Sequence, residues 1–452
     1  MQTTVSSSRH GMNKRRKKPV PAGEFSADII DLAQDGRGLA RMDGKVVFIA
    51  DALPGETVRF KYLRGGRDAD EGQTVAVTTA SPDRVTPQCA HFGVCGGCAL
   101  QHLAPDRQIE FKQKQLLDAL ARIGKVQPET VAAPITGKVW NYRRRARLGV
   151  KFVPKKGGVL VGFRERDSSY LAALESCAVL DERVGLKLRA IACMIETLSI
   201  HGQIPQIEVA AADHVALVIR VLQAPSPEDV AILKNFAEAE GFEIYLQTGG
   251  PQSIAPLAPP ARTLDYSPDG SDLRLQFQPT DFIQINGSVS QQIVRQALDW
   301  LAPQPGQRVL ELFCGLGNFS APLARMGAEV VVVEGEAALV QRARDNAQRL
   351  GLGNIRFERA DLFAPSADAA WLKGHFDAVL LDPPRSGARE MLPLIAAKRP
   401  QRIVYVSCHP GTLARDAGIL VNEHGYRLVR AGVMDMFPHT AHVESMALFE
   451  KT

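Results

Sequence analysis

The sequence predicts a multidomain chain: a small N-terminal OB-like β-barrel, a central α/β region and a C-terminal doubly wound, Rossmann-like α/β domain. Three observations carry this reading. Short alternating strands separated by Gly/Pro turns crowd residues 23–82, which is barrel patterning. Strand patterns at 308–312, 329–333, 355–357, 377–381, 403–406, 427–429 and 445–449 alternate with helical ones, clearest at 337–350 and 412–424, as in a parallel sheet wrapped by helices. Residues 83–275 mix both patterns and end near a Pro-rich stretch at 251–260, so the last domain is expected over 276–452. A chain of 452 residues has room for two or three such domains.

Composition narrows the class. The net charge is +5, but Arg9, Lys14, Arg15, Arg16, Lys17 and Lys18 put six positive charges and no acid into the first 22 residues. Without those six the chain is near −1, so residues 1–22 read as a disordered basic tail suited to a polyanion or to solubility alone. No apolar run is long enough to span a bilayer, and the N-terminus lacks the apolar core of a secretory signal. Seven cysteines in so long a chain do not suggest a disulfide scaffold. The expectation is a monomer in the reducing cytoplasm, away from membranes.

The barrel comes first. The strands at 27–32, 45–49 and 56–62 are joined by turns carrying Gly36, Gly38, Gly44 and Pro54-Gly55. Asp35-Gly36-Arg37-Gly38-Leu39-Ala40 resembles the signature of the TRAM module, a small RNA-binding barrel. Packing alone is the other use of such a domain.

Within 276–452, Val309-Leu310-Glu311-Leu312-Phe313-Cys314-Gly315-Leu316-Gly317-Asn318 reads as strand, Gly turn and helix start. A dinucleotide fingerprint would place glycine at Ser320, so a smaller nucleoside ligand fits better than a pyrophosphate. Glu334 ends the next strand, where a carboxylate can accept both ribose hydroxyls. Asp361 follows the third strand and suits an adenine amino group. Asp382 opens a loop stiffened by Pro383 and Pro384. Together these acids at successive strand ends suggest S-adenosylmethionine. Arg385 stands where many amino-directed nucleic-acid methyltransferases carry an aromatic ring, which argues against methylation of an exocyclic amine.

The strand Arg402-Ile403-Val404-Tyr405-Val406-Ser407 delivers Cys408 to the same crevice. A lone cysteine is more often an inert core residue; its neighbours here argue for chemistry. Thiolate addition to C6 of uracil makes C5 nucleophilic toward a methyl donor, after which a base must remove the C5 proton. Glu444, at the start of the last strand, offers that base or is a strand-edge charge. His439 and His442 are alternative bases or polar loop residues.

Cys89, Cys95 and Cys98 form a tight C-x5-C-G-G-C triad, and Cys177 is the best fourth ligand. Four thiolates suit a [4Fe–4S] cluster or zinc, and spacing leaves both open. Cys193 and Cys314 read as spare. Arg143, Arg145 and Arg147 alternate onto one face of an aromatic strand, as a phosphate stripe or a solvated edge.

With these residues in view, the chain resembles bacterial iron–sulfur 23S rRNA (uracil-C5)-methyltransferases over nearly everything after the tail. Gln278-Pro279-Thr280-Asp281-Phe282-Ile283-Gln284-Ile285-Asn286, with Phe277 before it, looks like the family's F-x-P-x-x-F-x-Q-x-N motif. The resemblance implies that Gln284, Phe313, Asn318, Glu334 and Asp382 contact S-adenosylmethionine, with Asp361 at a less uniform adenine-facing position. It implies Cys408 as nucleophile, Glu444 as general base, Phe282 near a flipped base, and a [4Fe–4S] cluster on Cys89, Cys95, Cys98 and Cys177. The implied activity is 5-methyluridine formation at one site of 23S rRNA. The alternatives are methylation of uridine in tRNA or at another rRNA site, or a non-catalytic iron–sulfur RNA-binding factor.

Overall fold

The computed structural model describes residues 20–452, and the basic run at 9–18 lies outside them. The chain divides into two compact units, Met1–Arg84 and Val85–Thr452.

In the first unit the strands Phe25–Asp28, Asp31–Leu32, Gly38–Met42, Lys45–Ala50, Thr57–Arg64 and Ala69–Thr79 form one six-stranded sheet. Phe25–Asp28 and Asp31–Leu32 lie at opposite edges of the strand order, yet only Ile29 and Ile30 separate them in sequence. The sheet therefore curls until its edges share one run of chain. Alternation turns Val47, Ile49, Val58 and Phe60 inward to a common core.

The second unit holds two large sheets. The strands Arg145–Val153, Gly158–Gly162, Gln206–Ala211, Val215–Arg220, Phe242–Gln247 and Ile254–Pro256 make the smaller one. The larger has eight strands, ordered Ile355–Arg359, Glu329–Glu334, Arg308–Leu312, Ala378–Leu381, Arg402–Ser407, Glu444–Lys451, Tyr426–Met434 and Thr130–Val131. All seven strands expected in the C-terminal region are present. The first five run parallel, and the inner ones are mostly apolar and buried, as strands covered on both faces must be, whereas the edge strand Ile355–Arg359 carries Arg356, Glu358 and Arg359. Strand order reverses between Arg308–Leu312 and Ala378–Leu381, which opens a crevice at their carboxyl ends.

The last two strands form an antiparallel hairpin, and Glu444–Lys451 inserts beside Arg402–Ser407. Its register pairs Ser407 with Ser445. Extending that register by one residue sets Cys408 across from Glu444.

The eighth strand is a departure from the sequence expectation. Thr130–Val131 belongs to the stretch read as central, yet it pairs with Arg430 and Ala431. The helix Pro105–Ala119 and the wider turn Leu120–Gly124 also bury Leu116 and Leu120 in the core shared by Ile403, Tyr405 and Phe449. Periodicity shows that such residues need cover and is silent about which sheet supplies it. No helix among the described residues is long and apolar enough to cross a membrane.

That packing depends on a close approach. A Cβ added at Gly418, on the helix Pro410–Asn422, would lie 2.6 Å from the Gly124 carbonyl oxygen. Overpacking of this kind typically costs about 1–3 kcal/mol, so Gly418→Ala should lower unfolding stability by about that amount in a urea titration. An unchanged midpoint would show that the helix and turn can separate freely.

Candidate active site

The crevice is a cleft of about 970 Å³, and its lining contains Gln284, Phe313, Asn318, Glu334, Asp361, Asp382 and Cys408. The structure thus brings together every side chain expected at the cofactor, along with the expected nucleophile.

The floor is the turn after Leu312. Phe313 adopts φ +65°, followed by Gly315 at +55° and Gly317 at +91°. A left-handed non-glycine residue costs about 1–3 kcal/mol and persists only where its surroundings impose it. Here the Phe313 N–H is tied to the Val333 carbonyl at 2.9 Å. The Gly315 N–H donates to Glu334 Oε2 at 3.2 Å and the Glu336 N–H to Oε1 at 3.0 Å. Both carboxylate oxygens are fixed in this way, with lone pairs left for a diol. Asp361 accepts from the Phe363 N–H at 2.9 Å, and the Phe313 and Phe363 rings lie 5.8 Å apart in the same wall.

The opposite wall is held from behind. Arg144 donates from Nε to the Gln284 carbonyl at 2.7 Å and stacks over the Tyr266 ring at 4.9 Å. Tyr266 in turn donates its O–H to Asn318 Oδ1 at 3.4 Å. Asn286, the last residue of the FQPTDFIQIN run, caps the helix Gly287–Leu301 by accepting from the Val289 N–H. Phe282 stands 69% exposed at the cleft. The supporting roles of Arg144 and Tyr266 are invisible in the sequence, where Arg144 is one basic residue among four. The expected phosphate stripe is largely used up internally. Arg145 donates to the Pro279 and Val209 carbonyls, and Arg145 and Arg147 share the Glu208 carboxylate. Only Arg147 of that pair is well exposed, because Arg145 lies against the 278–286 segment.

Charge crowds the cleft. Burial pushes Asp382 up to about 7. Burial, then the Asp382 charge, pushes Glu444 up to about 8, with Arg385 and Lys112 pulling the other way. Burial, then Glu444 and Asp382, raises the Cys408 thiol to about 11, and Arg385 opposes this. Glu311, fully buried four residues before Gly315, is raised by burial to about 8. Sequence reasoning passed over Glu311, although an acid inside an apolar strand was a signal. Such a site favours a cationic ligand.

The two histidines pack against neighbouring side chains. Arg385 Nη2 lies 3.2 Å from His442 Nδ1. Burial, then Lys112, holds His439 down to about 4, and its ring stacks on Trp140 at 3.9 Å.

Cys89, Cys95, Cys98 and Cys177 line one small cavity with Phe163 and Leu174. Burial raises the thiols of Cys95, Cys98 and Cys177, Cys98 to about 12, and the proximity of the other cysteines adds to this. Among the described residues, no three His, Cys, Asp or Glu side chains are arranged around a single metal ion. Cys193 is exposed on its helix and Cys314 is buried in the Gly turn.

Comparison with known proteins bears on the whole chain. The family model described as tRNA (Uracil-5-)-methyltransferase matches residues 265–452. The 23S rRNA (uracil(1939)-C(5))-methyltransferase RlmD of Alkalilimnicola ehrlichii is 54% identical over 97% of this chain and 99% of its own length. The protein of the same name from Stenotrophomonas maltophilia is 51% identical, with the same coverage. A solved structure, the Pyrococcus abyssi tRNA (uracil-54, C5)-methyltransferase in complex with S-adenosyl-L-homocysteine, shares the fold. Its TM-score is 0.71 at 24% identity, covering 94% of this chain and 99% of that one.

The crowded acids predict a pH signature. Glu311 moves from an ordinary 4.5 to about 8 in the folded chain. Between those values the folded state holds the extra proton, so this contribution is complete below 4.5 and is lost as pH rises toward 8. Glu311→Gln should therefore gain in melting temperature relative to the wild type as pH goes from 5 to 8. A difference independent of pH would contradict the assignment.

Proposed function

The chain belongs to the RlmD family of 23S rRNA (uracil-C5)-methyltransferases, and from that premise we propose how its residues share the reaction. It methylates C5 of a uridine in 23S rRNA with S-adenosylmethionine, giving 5-methyluridine. The relatives are named for uracil 1939, and the same nucleotide is the proposed target.

S-adenosylmethionine supplies a methyl group activated by a sulfonium charge. Glu334 accepts the ribose hydroxyls, Asp361 faces the adenine amino group, and Gln284, Phe313 and Asn318 complete the pocket. Asp382 offsets the positive charge. The target base leaves its stack and lies against Phe282. Cys408 adds to C6 as its thiolate, and the electron pair released onto the ring lets C5 take the methyl group as the donor's methyl–sulfur bond breaks and its sulfur departs as a neutral thioether. Glu444 removes the C5 proton, and the returning electrons expel the Cys408 thiolate. The observation that supports this reading is the pairing of Ser407 with Ser445, which leaves Cys408 and Glu444 as the next residues on two adjacent strands.

The domain assignments are residues 23–82 as a TRAM barrel, 83–275 as a cluster-bearing central domain and 276–452 as the methyltransferase domain. The first two would grip structured RNA, the barrel through a strand face. Cys89, Cys95, Cys98 and Cys177 would hold a [4Fe–4S] cluster. A four-iron cube spaces its thiolates more widely than a single zinc ion does, which suits four thiols lining a shared cavity.

Two experiments test these assignments. With labelled S-adenosylmethionine and unmodified 23S rRNA, Cys408→Ala should lose activity by on the order of 10³-fold or more, whereas Glu444→Gln should accumulate a covalent RNA–protein adduct. Full methylation by the alanine variant would overturn the nucleophile. Separately, anaerobically purified wild type should carry about four irons per chain and Cys177→Ser markedly fewer; equal iron contents would remove Cys177 from the ligand set.

A further inference from the structure

Residues 435–443 join Tyr426–Met434 to Glu444–Lys451 and so set where Glu444 enters the strand beside Arg402–Ser407. Most of the anchors on the first part of this loop come from one distant stretch of chain. The N–H groups of Ala99 and Leu100, immediately after Cys98, both donate to the His439 carbonyl at 2.9 Å. Gln108 holds the same residue twice more. Its Oε1 accepts the His439 N–H at 2.9 Å, and its Nε2 lies 3.3 Å from His439 Nδ1. One helical turn further on, Lys112 donates from Nζ to Asp435 Oδ1 at 2.7 Å and to the Phe437 carbonyl at 2.9 Å. Tyr142 donates its O–H to the Pro438 carbonyl at 3.0 Å.

Gln108 and Lys112 share one face of Pro105–Ala119, and both are almost fully buried. His439 sits at φ +65°, a conformation that this clamp can impose on it. Burying a lysine is costly, and well-packed apolar residues commonly hold two elements together as well as a buried ion pair does. A cation placed here adds direction: it fixes where the loop leaves Met434 and therefore where it arrives at Glu444, which is paired with Met434 across the hairpin.

We propose that Gln108 and Lys112 are positioning residues for Glu444, setting through His439 and Asp435 the reach of its carboxylate toward C5. Through Ala99 and Leu100 the same clamp ties the base to the cysteine-bearing loop. The proposal rests on the reading of Glu444 as the base. It predicts a step-specific defect: addition of Cys408 and methyl transfer proceed, and proton removal lags.

The test is single-turnover methylation of 23S rRNA that follows the covalent adduct as it forms and decays. It compares the full-length wild type with Glu444→Gln, Gln108→Ala, Lys112→Met and the paired variant Lys112→Met/Asp435→Leu. The paired variant leaves no buried charge unpartnered and covers the case in which Lys112→Met does not fold. In the clamp variants the adduct should form within about threefold of the wild-type rate and decay up to about 10²-fold more slowly, the scale of a small misplacement of a catalytic group. Cofactor affinity, read by calorimetry, should stay within about threefold. Equal slowing of formation and decay, wild-type decay, or failure of every clamp variant to fold would overturn the proposal. An adduct in Glu444→Gln without one in the clamp variants would defeat the clamp alone. Rapid turnover by Glu444→Gln would defeat the underlying assignment of the base.

Discussion

Carboxyl groups and a thiol crowd the carboxyl ends of the parallel strands, and this crowding governs the rest of the site. Glu311, Asp382 and Glu444 approach one another in a region of low dielectric, where like charges cannot all persist. Without a ligand, several of these acids hold protons and the Cys408 thiol stays neutral. A bound sulfonium changes that balance, because its charge favours carboxylates and thiolate alike, while each carboxylate that ionises opposes the thiolate beside it.

Holding such a cleft open requires support from outside the parallel sheet, and one stretch of chain supplies much of it. Residues 99–145 run behind both walls. Arg144 braces Gln284 and Tyr266 on the cofactor side, and Gln108 and Lys112 brace the loop before Glu444 on the other. The same stretch meets the cysteine cavity. The Asn141 and Arg143 N–H groups donate to the Ala178 and Val179 carbonyls, just past Cys177, while the Arg144 N–H donates to the Ile285 carbonyl. The cysteines are therefore mechanically close to the reaction centre, although they need take no part in methyl transfer.

Much of the candidate site was legible because several of its residues are local to a strand end. Glu334, Asp382 and Cys408 each follow an apolar run, Asp361 follows the edge strand, and parallel sheets collect such positions at one edge. Glu311 was missed because it lies inside its strand, where a pattern reader expects only apolar residues. Arg145 was misread because alternation assigns it a face without showing what covers that face. The placement of Thr130–Val131 and of the helix Pro105–Ala119 was equally out of reach, since an amphipathic segment advertises an apolar face and never its partner.

By itself the sequence determined the alternation of strands and helices, the Gly turn, the acids at strand ends, the thiol and the spacing of four cysteines. All of these follow from short-range rules of backbone geometry and side-chain period. Only the tertiary structure decided that the last strand folds back beside Arg402–Ser407 and sets Glu444 opposite Cys408, and that Gln108 and Lys112 hold the loop leading there. Those pairings join residues roughly 40 to 330 positions apart. Their selection depends on burying charge and apolar surface together, a property of the assembled core that no local window contains.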